Sequence, residues 1–220
     1  MIKVKICGVT NLEDAEKACE YGADLIGFIF VKDTPRHVCP ETVGGIIKEL
    51  KGKHAQVGMV GLFQGTSPES IAETVSRCDL DYVQLHGNET PGECSQLKKI
   101  LEEKYGREAK IIKAFKVKGE ILGPFTPGDY KDVDYFVFDT YHPEIPGGTG
   151  VKFDWEVLDR EKEKIKKDFF IAGGLDAKNV FDAVKTVRPY GVDVSSGVEK
   201  EPGKKDEKML KEFIQNAKKI

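Results

Sequence analysis

The chain has no hydrophobic run long enough for a membrane span or a secretory leader. Residues 1 to 10 carry Lys3 and Lys5 inside an alternating apolar pattern, whereas a span needs about 20 predominantly apolar residues. It has no excess of either charge. Thirty-four basic side chains stand against 37 acidic ones for a net −3, which gives no electrostatic footprint for nucleic acid. It has no C-x-x-C pair, and its five cysteines, Cys7, Cys19, Cys39, Cys78 and Cys94, are odd in number. Free thiols in a reducing compartment fit that count better than disulfides or a zinc knuckle. Linkers, low-complexity blocks and shifts in composition are missing too. The expectation is one domain over residues 1–220, soluble and cytoplasmic, that binds neither nucleic acid nor membrane.

What is present is a core-forming share of apolar residues, 40%, laid out in short runs that alternate with helical stretches. Strands are expected at Ile2–Ile6, Asp24–Phe30, Gln56–Phe63, Tyr82–Leu85, Ile111–Phe115, Tyr135–Phe138, Phe169–Ile171 and Val192–Val194. Helices are expected over Asn11–Glu20, Glu41–Leu50, Ser67–Cys78, Thr90–Ile100, Phe153–Asp159, Ala177–Val187 and from about Lys205 onward. Thr10 or Asn11, Ser67-Pro68 and Thr90-Pro91-Gly92-Glu93 are helix starts. The segment Lys118–Asp132 holds two prolines and three glycines, so a crossover helix there is short or irregular. Eight strand-then-helix units, spaced by about 25 to 30 residues, suit parallel strands with crossover helices. They predict a closed (β/α)8 barrel, a TIM barrel, of the α/β class, with a doubly wound open sheet as the alternative.

In such a barrel, chemistry sits just after the strands. The stretch Phe136–Trp155 has that form: a buried apolar run ends on Asp139, and a loop with Pro143, Pro146, Gly147, Gly148 and Gly150 follows. The other strand-end residues are Cys7-Gly8, Arg36, His86-Gly87, Gly173-Gly174 and Asp193-Ser195-Ser196-Gly197. Taken singly, each has an ordinary explanation. A lone cysteine after a strand is more often a small buried hydrophobe, an aspartate a helix cap, a glycine cluster a turn, and an arginine half of a surface ion pair. Together they supply a thiol, a guanidinium, an imidazole, two carboxyls and two loops of small residues. The loops after strands seven and eight are where barrels hold phosphate.

The motifs KICGVT, GADLIGFIF with TPRHV, QLHGNE, FDT with GGTGVKFDW, AGGLDAKNV and GVDVSSGVEKEPGKKD, in this order, resemble the phosphoribosylanthranilate isomerases of tryptophan biosynthesis. The resemblance implies an Amadori rearrangement of N-(5-phosphoribosyl)anthranilate to 1-(2-carboxyphenylamino)-1-deoxyribulose 5-phosphate, without metal or organic cofactor. It implies Asp139 as the acid that opens the ribose ring and Cys7 as the base at C2′. It also implies Arg36 at the anthranilate carboxylate, His86 and Asp193 in substrate contact, and Gly173, Gly174, Ser195 and Ser196 at the phosphate. The small-molecule phosphosugar is the expected partner, for a monomer or a homodimer. Thr34 replaces the family's usual serine, and Gly61-Leu62-Phe63-Gln64 stands where Val-Phe-x-Asn is common. The histidine-pathway sugar isomerase is a close alternative, but it carries aspartate in place of Cys7 and a phosphate grip in each of two similar halves. A silent phosphosugar-binding barrel is the alternative from another class.

Overall fold

The computed structural model describes residues 1–140, 158, 162 and 165–219. Eight parallel strands form the frame: β1 Lys3–Cys7, β2 Leu25–Ile29, β3 Gly58–Phe63, β4 Tyr82–Leu85, β5 Lys110–Val117, β6 Tyr135–Thr140, β7 Phe169–Ala172 and β8 Gly191–Val194. Each pairs with the next, and β8 returns to β1, so the sheet closes into the expected (β/α)8 barrel. Among the described residues, helices α1 Leu12–Glu20, α2 Pro40–Lys53, α3 Pro68–Cys78, α4 Pro91–Tyr105, α5 Val180–Val187 and α6 Glu207–Ala217 pack outside it. The expected proline-rich glycine loop, and the helix over Phe153–Asp159 apart from Leu158, lie outside the described residues.

Local rules account for most helix starts. Asn11 accepts from the Asp14 N–H, Ser67 precedes Pro68 and accepts from Ser70, Thr90 and Glu93 form a reciprocal capping box, and Asp206 accepts from Met209. The crossover after β5 is irregular, as its prolines require: a two-residue strand, Ile121–Leu122, turns back on β5 and is followed by one 3-10 turn. A second departure from regular units follows β8. A 3-10 turn at Ser196–Val198 leads into a small antiparallel pairing of Glu199–Glu201 with Lys204–Lys205, and α6 starts only at Glu207. The expected start of the final helix at about Lys205 falls on the last residue of that hairpin, two residues before α6.

Both faces of every strand are covered. The outward face makes the large core with the helices, in which Phe138 meets Phe115, Phe136 and Phe169. The inward face fills the lumen with Leu25, Val60, Ile112, Ala114, Val137, Phe170 and Ala172. One device recurs at the end of the barrel where strands begin. Asp24, Asp81 and Asp134, each the residue just before an even-numbered strand, accept from the backbone N–H of Val4, Met59 and Ile111 in the strand before. A carboxylate thus satisfies a donor that the staggered ladder leaves unpaired.

Asp81→Ala removes the acceptor from the N–H of Met59, a fully buried residue, and should cost about 1–3 kcal/mol of stability. Denaturant unfolding will measure it, and an unchanged midpoint would mean that the stitch is ornamental.

Candidate active site

Parallel register decides which residues meet in the lumen. Lys5 pairs with Asp193 and Cys7 with Gly27, so Lys5, Cys7 and Asp193 all point inward at the end where β1 and β8 finish. Gly27 leaves the space the sulfur occupies: a methyl group built there would lie 3.0 Å from Cys7 Sγ and 3.2 Å from Lys5 Cε. Lys5 is fully buried and its Nζ lies 2.8 Å from Asp193 Oδ2.

The described residues enclose a cavity of about 360 Å³ at this end, lined by Cys7, Gln84, His86, Asp139, Asp193 and the loops 173–175 and 195–197. The thiol, the imidazole, both carboxyls and both small-residue loops expected from sequence therefore share one cavity. Arg36 does not line it. A larger cavity of about 540 Å³ lies beside it over β4 and β5 and shares Gln64 and His86 with it.

On one side stand β4 and β6. Gln84, two residues before His86 and fully buried, places Nε2 3.1 Å from His86 Nδ1, and His86 Nε2 lies 3.2 Å from Asp139 Oδ2. With the Gln84 amide nitrogen donating to Nδ1, the ring proton sits on Nε2 and is donated to Asp139. His86 is thus neither a plain core histidine nor a free one; it holds the carboxyl from the side.

On the other side stands Cys7. Burial pushes its thiol above the ordinary range, Lys5 pulls it down, Asp193 pushes it up again, and Lys205 adds a smaller downward pull. Lys205 lies in the hairpin after β8 and is itself buried; its Nζ donates to the Cys7 carbonyl at 2.6 Å, the Ser195 carbonyl at 3.1 Å and Glu199 Oε1 at 2.8 Å. Desolvation lowers its own pKa, with Glu199 opposing.

Arg36 is held by a carboxylate from the hairpin after β8. Its Nε and one terminal nitrogen donate to the two oxygens of Glu199 at 2.9 and 2.6 Å, a fork on a carboxylate only 4% exposed. The second terminal nitrogen has no partner among the described residues, so the end-on edge of the guanidinium can still take a planar anion.

The two small-residue loops are built to stay put. Gly173 and Gly174 take left-handed φ of 85° and 63°, where a side chain is strained. Asp176 and Asn179 staple the loop by side-chain bonds to its backbone, including Asn179 Nδ2 to the Gly174 carbonyl at 2.8 Å. At Gly197 a methyl group would fall 1.9 Å from the Leu175 carbonyl oxygen, so the two loops touch backbone to backbone. Three buried polar atoms at this cavity have no hydrogen-bond partner among the described residues: Gln84 Oε1, Asp193 Oδ1 and Ser195 Oγ. Such atoms suit a polar ligand that completes them. Among the described residues no group of His, Cys, Asp and Glu could hold a metal ion, and no helix is long and apolar enough to cross a membrane.

Sequence reading missed Lys5, Gln84, Glu199 and Lys205. For the first two a signal existed: each stands two residues before a proposed site residue in, or just past, the same strand, hence on the same face. For Glu199 and Lys205 none did.

A family model described as N-(5'-phosphoribosyl)anthranilate (PRA) isomerase matches residues 4–216. The N-(5'-phosphoribosyl)anthranilate isomerase of Geobacter sulfurreducens is 43% identical over 218 residues, which cover 99% of each chain. Among solved structures, phosphoribosyl anthranilate isomerase from Thermotoga maritima matches with a TM-score of 0.85 at 37% identity over 100% of both chains. A phosphoribosyl anthranilate isomerase in complex with reduced 1-(o-carboxyphenylamino)-1-deoxyribulose 5-phosphate matches at 0.81 and 36%, again over 100% of both chains.

Glu199 gains two cations on folding and its pKa falls below the ordinary 4.5, burial opposing Arg36 and Lys205. A depressed carboxyl stabilises the fold above its unfolded pKa and loses that contribution as pH falls through the folded one. Glu199→Gln should therefore be less stable than wild type at neutral pH, with the gap closing below about pH 4.5. Thermal unfolding against pH checks it; a gap that stays constant would assign the loss to packing alone.

Proposed function

The chain belongs to the N-(5'-phosphoribosyl)anthranilate isomerase family, and on that premise we propose how its residues carry the reaction. It is an isomerase of tryptophan biosynthesis and converts N-(5-phosphoribosyl)anthranilate to 1-(2-carboxyphenylamino)-1-deoxyribulose 5-phosphate by an Amadori rearrangement. The observation that carries the assignment of roles is that Cys7 and Asp139, from strands β1 and β6, line one cavity together with the loops after β7 and β8.

Asp139, as the acid, gives a proton to the furanose ring oxygen, and the ring opens to a Schiff base. His86 Nε2 holds Oδ2, which leaves Oδ1 to carry the proton that is transferred. Cys7, as thiolate, removes the proton from C2′ to give an enolamine, which tautomerises to the ketone. Every step is a proton transfer, so the reading calls on no metal and no organic cofactor.

The substrate is held at both ends. Backbone N–H groups of Gly173, Gly174, Ser195 and Ser196 receive the phosphate, and the ammonium of Lys205, bonded to the Ser195 carbonyl, adds positive potential behind them. The free end-on edge of Arg36 receives the anthranilate carboxylate while Glu199 holds the other edge still. Asp193 Oδ1, unpartnered and buried, accepts from a ribose hydroxyl. The whole of residues 1–220 forms one catalytic barrel domain. Five free cysteines suit a cytoplasmic enzyme, working as a monomer or a homodimer.

The test is a fluorescence progress curve with phosphoribosylanthranilate generated in the cuvette. Cys7→Ala and Asp139→Asn should each lower kcat by about a hundredfold or more, and near-normal turnover in either variant removes that residue from its role. Arg36→Ala should act mainly through KM; a pure kcat loss would place the carboxylate elsewhere.

A further inference from the structure

Three lysines are buried among the described residues, Lys5, Lys113 and Lys205, and they differ in how their ammonium groups are satisfied. An ammonium has three N–H to place. Lys113 donates to the Leu85 and Gly87 carbonyls and to Glu89; Lys205 donates to the Cys7 and Ser195 carbonyls and to Glu199. Both are complete. Lys5, with 0% of its side chain exposed, makes one such bond to oxygen among the described residues, to Asp193 Oδ2, and its other hydrogen-bonding neighbour is the Cys7 sulfur. Its partner is equally incomplete, since Asp193 Oδ1 has none.

What lies beside this half-satisfied pair is Cys7. Lys5 and Cys7 share the inward face of β1, and the position over Gly27 touches both Lys5 Cε and Cys7 Sγ. A neutral thiol is a weak acceptor and cannot complete an ammonium; a thiolate can. We propose that Lys5 is the positioning residue that makes Cys7 ionisable, its unplaced N–H groups closing on the sulfur when the thiol loses its proton. The proton leaves to water through the open cavity. Lys5 keeps its own proton throughout, and the Lys5–Asp193 bond weakens as the thiolate competes for the ammonium. This rests on Cys7 as the base of the reaction proposed above.

The other charges around the sulfur do not replace Lys5. Asp193, on β8, opposes ionisation, and Lys205, from the hairpin, is saturated and gives only the weaker pull. Arg36, after β2, feels the thiolate but spends its fork on Glu199. Asp139 and His86 stand on the β4–β6 side of the cavity, bonded to each other. The direction in which Lys5 moves the Cys7 thiol, downward against burial, agrees.

Lys5→Met alone leaves a buried lone carboxylate and risks the fold, so the decisive comparison is between Asp193→Asn and Lys5→Met/Asp193→Asn. The Cys7 titration is read as ultraviolet thiolate absorbance, taken as the difference between each chain and the same chain carrying Cys7→Ser, which removes the other four thiols from the signal. Asp193→Asn should lower the midpoint below wild type. The double variant should lie about one pH unit or more above Asp193→Asn, and the acid limb of its kcat–pH profile should move to higher pH by the same amount. Coinciding midpoints in the two variants would overturn the proposal and leave Lys5 as a structural counterion to Asp193. A midpoint that moves as expected while Cys7→Ala turns over normally would uphold Lys5 as the partner of the thiol and dismiss Cys7 as the base, so the two failures are seen separately.

Discussion

Among the described residues the barrel lumen holds one buried ion pair, Lys5 with Asp193. Taking such a pair out of water costs several kcal/mol per ion, which the partners recover only at close range. The pair therefore locks β1 to β8 at the seam where the barrel's first and last strands meet and the barrel closes. Below it the lumen is apolar, with Leu25, Val60, Ile112, Val137 and Phe170; above it lie Cys7, His86, Asp139 and the two small-residue loops. The boundary between core and site is thus drawn by two side chains, and the register of one strand pair sets its height.

Around that boundary the two proposed reacting groups live in contrasting settings. Asp139 is about a third exposed and braced by one imidazole that is itself braced by Gln84. Cys7 is 4% exposed and surrounded by fixed charges of both signs. A group that must give up a proton early benefits from contact with the open cavity. A thiol that must reach an ionised state depends on nearby charge in proportion to its burial.

Much of this was legible in residues alone. Short apolar runs placed all eight strands, because parallel strands covered on both faces keep their apolar character through to their ends. Serine, threonine and proline placed the starts of α3 and α4, because helix caps are local chemistry. The strand-end rule gathered Cys7, His86, Asp139, Asp193 and the two loops, and the cavity does contain them. What stayed hidden has one cause. In a barrel both faces of a strand are interior, so alternation shows that Lys5 and Cys7 share a face without showing that the face is the lumen. Arg36 and Glu199 are 163 residues apart, and nothing local in Glu199–Lys205 shows that barrel closure buries Lys205 against the Cys7 and Ser195 carbonyls.

That buried ammonium has a mechanical side. Lys205 bonds the carbonyl of Cys7 and the carbonyl of Ser195 at once, and Gly197 presses the second of these loops against Leu175. An anion seated on residues 173–174 and 195–196 would pull on the same nitrogen that tethers the backbone of the thiol. The far handle of a ligand and the sulfur at its reacting carbon would then move as parts of one lever, so a ligand lacking its anionic end would meet a slacker thiol, and would be handled more slowly as well as held more weakly.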